Sequence, residues 1–184
     1  MSVQIALLRG VNVGGKNKIS MAELKAAFRE AGFPDATTYI NSGNVLFTSN
    51  KNAAQLKEIC EALIKETFGL AIGVMVISAD DLAKALDATP DWWGKDKESR
   101  HNVIFVIPPA TALQVCAQVG EIKPEYESLF YHGRVIFWSS PKEDFNKTRW
   151  SKVSRNAAYL TITIRNITTA NTLRALATTM AEGE

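Results

Sequence analysis

The sequence predicts an α+β protein built from two tandem β-α-β-β-α-β units with antiparallel sheets, closed by a C-terminal helix. Three observations carry that reading. Short aliphatic and β-branched runs alternate with segments whose apolar residues recur at helical spacing. Residues 1–78 follow the order strand, helix, two strands, helix, strand, and residues 102–184 repeat it without detectable identity between the halves. Glycine, asparagine and capping residues stand where that order requires the chain to turn. The pattern is the split motif of a ferredoxin-like sandwich, with residues 79–101 as a helix and a Trp-containing connector.

Each element has its own signal. "VQIALL" (3–8) is short and apolar enough for a buried strand. Ser20 and Glu23 have capping-box spacing, Met21, Leu24, Phe28 and Ala31 share a face, and Gly32 ends that helix. "ATTYIN" and "NVLFTS" read as strands joined by a two-residue Ser42-Gly43 hairpin. Leu56, Ile59, Cys60, Leu63, Ile64 and Phe68 line the second helix, closed by Gly69 before the strand "IGVMVIS". Ser78 and Asp81 cap a short helix reaching Asp87. The second unit reads as strand "NVIFVI", helix Thr111–Val119, strand "YESLFY", a His132-Gly133 turn and strand "RVIFW". A helix over Phe145–Ala157, strand "YLTITI" and a helix over Thr169–Met180 follow.

The 184 residues are 46% hydrophobic and 22% charged with net charge +2, which is ordinary globular composition. A chain of this size buries roughly 70% of its unfolded surface and needs no disulfide staple. So small a net charge restricts any nucleic-acid affinity to local clusters. Cys60 and Cys116 sit in helical apolar patterns and read as buried thiols of a reducing compartment. No leader pattern and no run near the roughly 20 apolar residues of a membrane span occurs. A cytoplasmic monomer or dimer is expected, with no membrane association, cofactor or metal.

Candidate sites lie in loops. "RGVNVGGKNK" (9–18) has the Gly10-x4-Gly15-Lys16 spacing of a phosphate-binding loop, but Asn17 replaces the hydroxyl that would ligate Mg²⁺. Its helix also starts a turn late, at Ser20, and the strands that follow form an antiparallel hairpin. A P-loop is excluded. Glycine-rich backbone with free amides can still form an anion nest, with Lys16 and Lys18 supplying charge and Asn12 orienting the ligand; the alternative is a solvated turn. Arg165 and Asn166 end the last strand with Thr163 on the same face, where Arg165 can hold a carboxylate or phosphate or salt-bridge an acidic neighbour. Trp92 and Trp93 read as an interdomain plug or, if exposed, as a partner patch. The basic run 142–155 has Phe145 and Trp150 near helical spacing with Val153, the pattern of a solvated helix with a buried face. The geometry expected of the fold sets the 10–18 loop opposite the Ser42-Gly43 turn, and Arg165 and Asn166 beside the His132-Gly133 turn. His101 and His132 show no metal-ligand spacing with either cysteine, and no nucleophile elbow or dinucleotide fingerprint occurs.

"ALLRGVNVGGKNKISMAELKAAF", "TTYINSGNVLF" and "TIRNITTANTLRALA" together resemble the bacterial domain of unknown function 1697 family, from Val3 to about Ala177. The resemblance implies tandem ferredoxin-like domains and no particular activity. It singles out Arg9, Gly10, Asn12, Gly14, Gly15, Lys16 and Asn17; Tyr39, Ser42, Gly43 and Asn44; and Thr163, Arg165, Asn166 and Thr169. Family members more often carry Asn-Trp-Asn or Asn-Ala-Asn after the late arginine, where this chain has Ile167 and Thr168. The expected function is capture of an anionic small molecule or nucleic acid through Arg9, Asn12, Gly14, Gly15, Lys16, Asn17 and Lys18, with Arg165 and Asn166. A small transferase or hydrolase acting on a phosphorylated substrate, or a purely structural interaction module, are the alternatives.

Overall fold

The computed structural model describes residues 1–183. The chain forms two compact units: Met1–Ala83 together with the chain from Thr172 onward, and Lys84–Asn171.

Unit one contains β1 (Ser2–Leu8), α1 (Met21–Glu30), β2 (Thr37–Tyr39), β3 (Asn44–Ser49), α2 (Ala53–Phe68) and β4 (Val74–Ser78). Its sheet runs β2-β3-β1-β4 with every pair antiparallel. Burial explains the order: β1 and β3 are central and carry the longest buried runs, while β2 has three residues and stays at the edge. Alternate residues of the sheet, including Ala6, Leu8, Val45, Phe47 and Val76, meet Leu24 and Phe28 of α1 and Leu56, Cys60 and Ile64 of α2. The rings of Phe28, Phe33 and Phe47 fill the centre, the closest pair 4.5 Å apart. Ser20 Oγ accepts the Glu23 amide at the start of α1. Asn52 and Gln55 form a full capping box on α2, which ends at a left-handed Gly69.

Unit two contains β5 (Ser99–Val106), α4 (Ala112–Val119), β6 (Ser128–His132), β7 (Val135–Pro141) and β8 (Ile162–Asn166), in the antiparallel order β6-β7-β5-β8. The boundaries between the units fall within α3 (Ala79–Asp87), started by Ser78 Oγ on the Asp81 amide, and within α5 (Ile167–Glu182). No helix among the described residues is long and apolar enough to cross a membrane.

Four expectations need correction. The helix expected over Phe145–Ala157 is instead three 3-10 turns, Phe145–Lys147, Trp150–Arg155 and Ala157–Thr161. Side-chain bonds break the helical ladder: Thr148 Oγ1 donates to Phe145 O, and Asn156 Oδ1 accepts the Ala158 amide. Trp150 and Val153 still bury, because residues three apart eclipse on a 3-10 turn. The strand expected from Tyr159 starts only at Ile162 for the same reason. The β2–β3 connection has four residues rather than two: Tyr39 pairs with Asn44, and Ile40 takes φ +48°. The β6–β7 turn is Gly133-Arg134, closed by the His132–Val135 pair.

Unit two also holds a buried carboxylate. Glu127, beside β6, is 3% exposed and accepts hydrogen bonds from the Lys123, Arg149 and Trp150 amides and from Trp138 Nε1. It ties the 3-10 segment to the sheet.

The cysteines differ. Cys60 is buried in unit one, and desolvation, aided by nearby Glu61, pushes its thiol up to about 12. Cys116 is half-buried, and burial raises its thiol as well; the expectation of two buried thiols holds for Cys60 and is corrected for Cys116. Only thiolate alkylates, so iodoacetamide on native protein at mildly alkaline pH should label Cys116 while Cys60 stays unmodified until denaturant is added. Peptide mass spectrometry checks this, and equal labelling of both would contradict the core described here.

Candidate functional site

The 9–18 loop is a miniature hairpin braced by its own asparagines. Five positions take positive φ: Gly10 +65°, Asn12 +55°, Gly14 +58°, Gly15 +76° and Asn17 +48°. Asparagine and glycine are the residues that enter this region most readily, which explains the composition. Lys16 N donates to Val13 O at 3.0 Å, so Gly14-Gly15 is a two-residue turn left-handed at both positions, the type I′ geometry. Asn12 N donates to Asn17 O at 3.1 Å below it, and Asn17 Nδ2 donates to Gly10 O at 3.0 Å. Asn12 Oδ1 accepts the Ile19 amide, and its Nδ2 donates to Ile19 O and Asn41 O, each at 2.9 Å. Both amide donors of Asn12 are therefore engaged within the protein, which leaves it a bracing role instead of the ligand-orienting one expected. Gly14, Gly15 and Lys16 are exposed at the tip, Lys18 is exposed just beyond the Asn12–Asn17 bond, and Arg9 at the base is half-buried.

The loop does not lie opposite the 40–43 turn. The two meet at one end of the sheet: Leu8 N donates to Gly43 O at 2.8 Å, and Asn12 reaches Asn41 O. Because β3 runs antiparallel to β1, it starts where β1 ends, with Asn44 facing Leu7. Asn44 is fully buried and its Nδ2 donates to Tyr39 O and Ser42 Oγ, holding the turn as a turn-bonding asparagine should.

Arg165 and Asn166 belong to unit two, and the same rule corrects their position. Asn166 pairs with Asn102 near the start of β5, whereas the 133–134 turn adjoins the end of β5, where Val106 N meets Arg134 O. Arg165 is 7% exposed; its Nη1 donates to Thr163 Oγ1 at 2.8 Å and Ile164 O at 2.9 Å. Burial pushes the guanidinium down to about 10, so it stays charged at neutral pH. Asn166 Oδ1 accepts the Thr169 amide and caps α5. Of the two tryptophans expected as a plug or patch, Trp93 is buried within unit two, edge-on to Phe137 and His101, which removes it from any exposed surface; Trp92 is half-buried.

Sequence reasoning missed Asn41, whose role is a main-chain carbonyl that no side-chain pattern announces, and His101, whose ring is fixed by three hydrogen bonds.

Comparison with known proteins agrees with this architecture. No curated protein matches the chain. A solved structure described as that of conserved bacterial protein SP0830 from Streptococcus pneumoniae is 34% identical, with TM-score 0.85 over 96% of this chain and 98% of that one. The family model described as protein of unknown function (DUF1697) matches residues 1–137, which include the braced loop, the 40–43 turn, the sheet of unit one, and β5, β6 and β7 of unit two as far as Phe137. The chain belongs to the DUF1697 family.

Proposed function

We propose that both units are variants of the ferredoxin-like sandwich and that the Gly14-Gly15 tip of unit one binds an anionic ligand, a nucleotide or phosphometabolite, in a bacterial cytoplasmic protein. The strand orders support the first part: both sheets place the first and third strands centrally, and unit two uses 3-10 turns where its second helix would stand. One observation carries the second part. Five left-handed positions and the asparagine braces hold the loop in a single shape before any ligand arrives. A preorganised loop loses less entropy on binding. Two glycine amides at a turn tip, with exposed Lys16 next in sequence and exposed Lys18 nearer the base, offer N–H donors and positive charge to the oxygens of a phosphate. The contact set is therefore narrower than the sequence motif: Gly14, Gly15, Lys16 and Lys18 meet the ligand, while Asn12 and Asn17 hold the shape.

Thermal melting against nucleoside triphosphates, sugar phosphates and short RNA, at two salt concentrations, tests this. A ligand at about 100 times its Kd stabilises by about 2.7 kcal/mol. The K16A/K18A double variant should melt like the parent without ligand and show no ligand-induced shift. Stabilisation by RNA alone, collapsing at high salt, would replace the small-molecule reading with a nucleic-acid one. No shift with any probe, or a full shift in the double variant, rejects the site.

A further inference from the structure

The edges of the two sheets are not protected alike. An edge strand turns a row of backbone N–H and C=O groups outward, and these pair with another chain unless something blunts them. β2 is only three residues long. On β4, Glu61 Oε1 accepts the outward Val74 amide at 3.0 Å. On β8, Arg165 Nη1 donates to the outward Ile164 carbonyl at 2.9 Å. β6 has no such device. It runs in unbroken register with β7 from Ser128 to His132, and "SLFYH" contains no proline, lysine, arginine or carboxylate.

The ladder shows which groups of β6 are open. Val106 N donates to Arg134 O, so by alternation Ile136 and Trp138 bond to β5, whereas Val135, Phe137 and Ser139 bond to β6. Their partners on β6 are His132, Phe130 and Ser128. Leu129 and Tyr131 therefore point their N–H and C=O groups outward, where no hydrogen bond among the described residues meets them. Their side chains share the face toward α4, and Tyr131 is 44% exposed. On that face lies an open groove of about 600 Å³, walled by Cys116 and Ala117 of α4 with Ile122 and Leu129.

We propose that β6 pairs antiparallel with β6 of a second copy of this chain, about a two-fold axis at Phe130, with each Tyr131 ring seated in the other copy's groove. In that register Leu129 of one copy faces Tyr131 of the other as a hydrogen-bonded pair, so every outward group of both residues is used. Directly opposed side chains lie on one face, which sets the Tyr131 ring beside Leu129, over the groove. Ser128 faces His132, and Phe130 faces itself. The strand is its own complement, as an isologous interface requires. The charges around it agree. Exposed Glu125 precedes the strand and Arg134 follows it, so antiparallel pairing sets each copy's Glu125 near the other's Arg134. The other cations close by are engaged: Lys123 Nζ donates to Lys147 O, and Arg149 Nε to Glu121 O.

Sedimentation of the full chain from low to high micromolar concentration tests the interface. The parent should dimerise, and Y131K should weaken association about thirtyfold or more, the loss expected when a central aromatic anchor goes. L160K, which places the same charge on another exposed apolar residue of unit two, should dimerise as the parent does, and so should K16A/K18A. Opposed residues of a non-hydrogen-bonded pair come within disulfide reach, so mild oxidation of F130C should yield a dimer joined through position 130. Should F130C fail to fold, amide exchange in the parent decides. Protection of the Leu129 and Tyr131 amides should rise with protein concentration, while the Ser128, Phe130 and His132 amides, already bonded to β7, stay as they are. A monomer at every concentration, a dimer that Y131K leaves intact, a folded F130C that does not cross-link, or exchange at Leu129 and Tyr131 that ignores concentration overturns the proposal.

Discussion

Glu127→Ala should destabilise unit two by about 4 kcal/mol, the largest effect expected of any single truncation outside the hydrophobic cores. The carboxylate is 3% exposed and accepts from Arg149 N at 2.7 Å, Trp138 Nε1 at 2.9 Å, Lys123 N at 3.0 Å and Trp150 N at 3.2 Å. Removing it strands these donors, and each buried unsatisfied one costs about 1–3 kcal/mol. Two opposing effects reduce the sum. Burying a carboxylate away from any cation is itself unfavourable, and water can reach the part-buried Lys123 amide. The stranded donors win, because alanine offers them nothing and leaves a void. Glu127→Gln keeps the shape but turns one acceptor into a donor facing two others, so about half the loss should remain. Urea unfolding followed by tryptophan fluorescence checks both, since Trp138 and Trp150 report directly. Hydrogen exchange at the Arg149 and Trp150 amides should accelerate in step. A Glu127→Ala midpoint within about 0.5 kcal/mol of the parent would show that the 3-10 segment is held by its apolar contacts alone.

Glu127 also marks a limit of what the sequence discloses. In "KPEYES" it resembles any surface glutamate, and only the pairing of Leu129 with Trp138 brings the indole within reach. Elements whose signals are local were legible. Leu56, Cys60, Ile64 and Gly69 announce the buried face and stop of α2, and Thr111 marks the start of α4, whereas the Asn52 cap of α2 emerged only from the structure. Elements decided by competition were not. The 145–161 segment has helical apolar spacing at Trp150 and Val153, yet Thr148 and Asn156 hydrogen-bond locally and win over the ladder. Ile40 at φ +48° defies its β-branched preference because Asn44 and Gly43 fix the turn around it.

The candidate site shows the same division. The glycines, lysines and asparagines of 9–18 were visible as a cluster, but their division of labour was not. Composition cannot tell an asparagine whose amide faces a ligand from one whose amide faces its own backbone. Only a strand register shows that the turn before β3 must lie where β1 ends, since an antiparallel partner reverses the chain.

Gly43→Ala should be the second most damaging change, by about 3 kcal/mol, and it links that register to the loop. A Cβ at Gly43 would lie 2.8 Å from Leu8 Cβ and 3.3 Å from Val11 Cβ, at φ +72°. The backbone conformation alone costs an alanine about 1–2 kcal/mol. The clash adds a comparable amount, because a Cβ cannot rotate away and Leu8 is fully buried on a central strand. Two other glycines separate these contributions. At Gly69, with φ +69° and open space around it, alanine should cost only the backbone part. At Gly94 the obstacle is Ile167 Cδ1, 2.7 Å away but at the free end of a flexible side chain, so the cost should fall between the other two. For a chain of this size each kcal/mol lowers Tm by roughly 2–4 °C, so Gly43→Ala should melt about 10 °C below the parent. The strain should also travel. Gly43 O holds Leu8 N, and neighbouring Asn41 O holds Asn12, so displacing the turn loosens the brace on Ile19. The Ile19 amide should then exchange faster, and affinity for any anion at Lys16 and Lys18 should fall although no contacting residue has changed. If Gly43→Ala costs no more than Gly69→Ala, the close approach of the turn to β1 is absent in solution, and the preorganisation assigned to the loop goes with it.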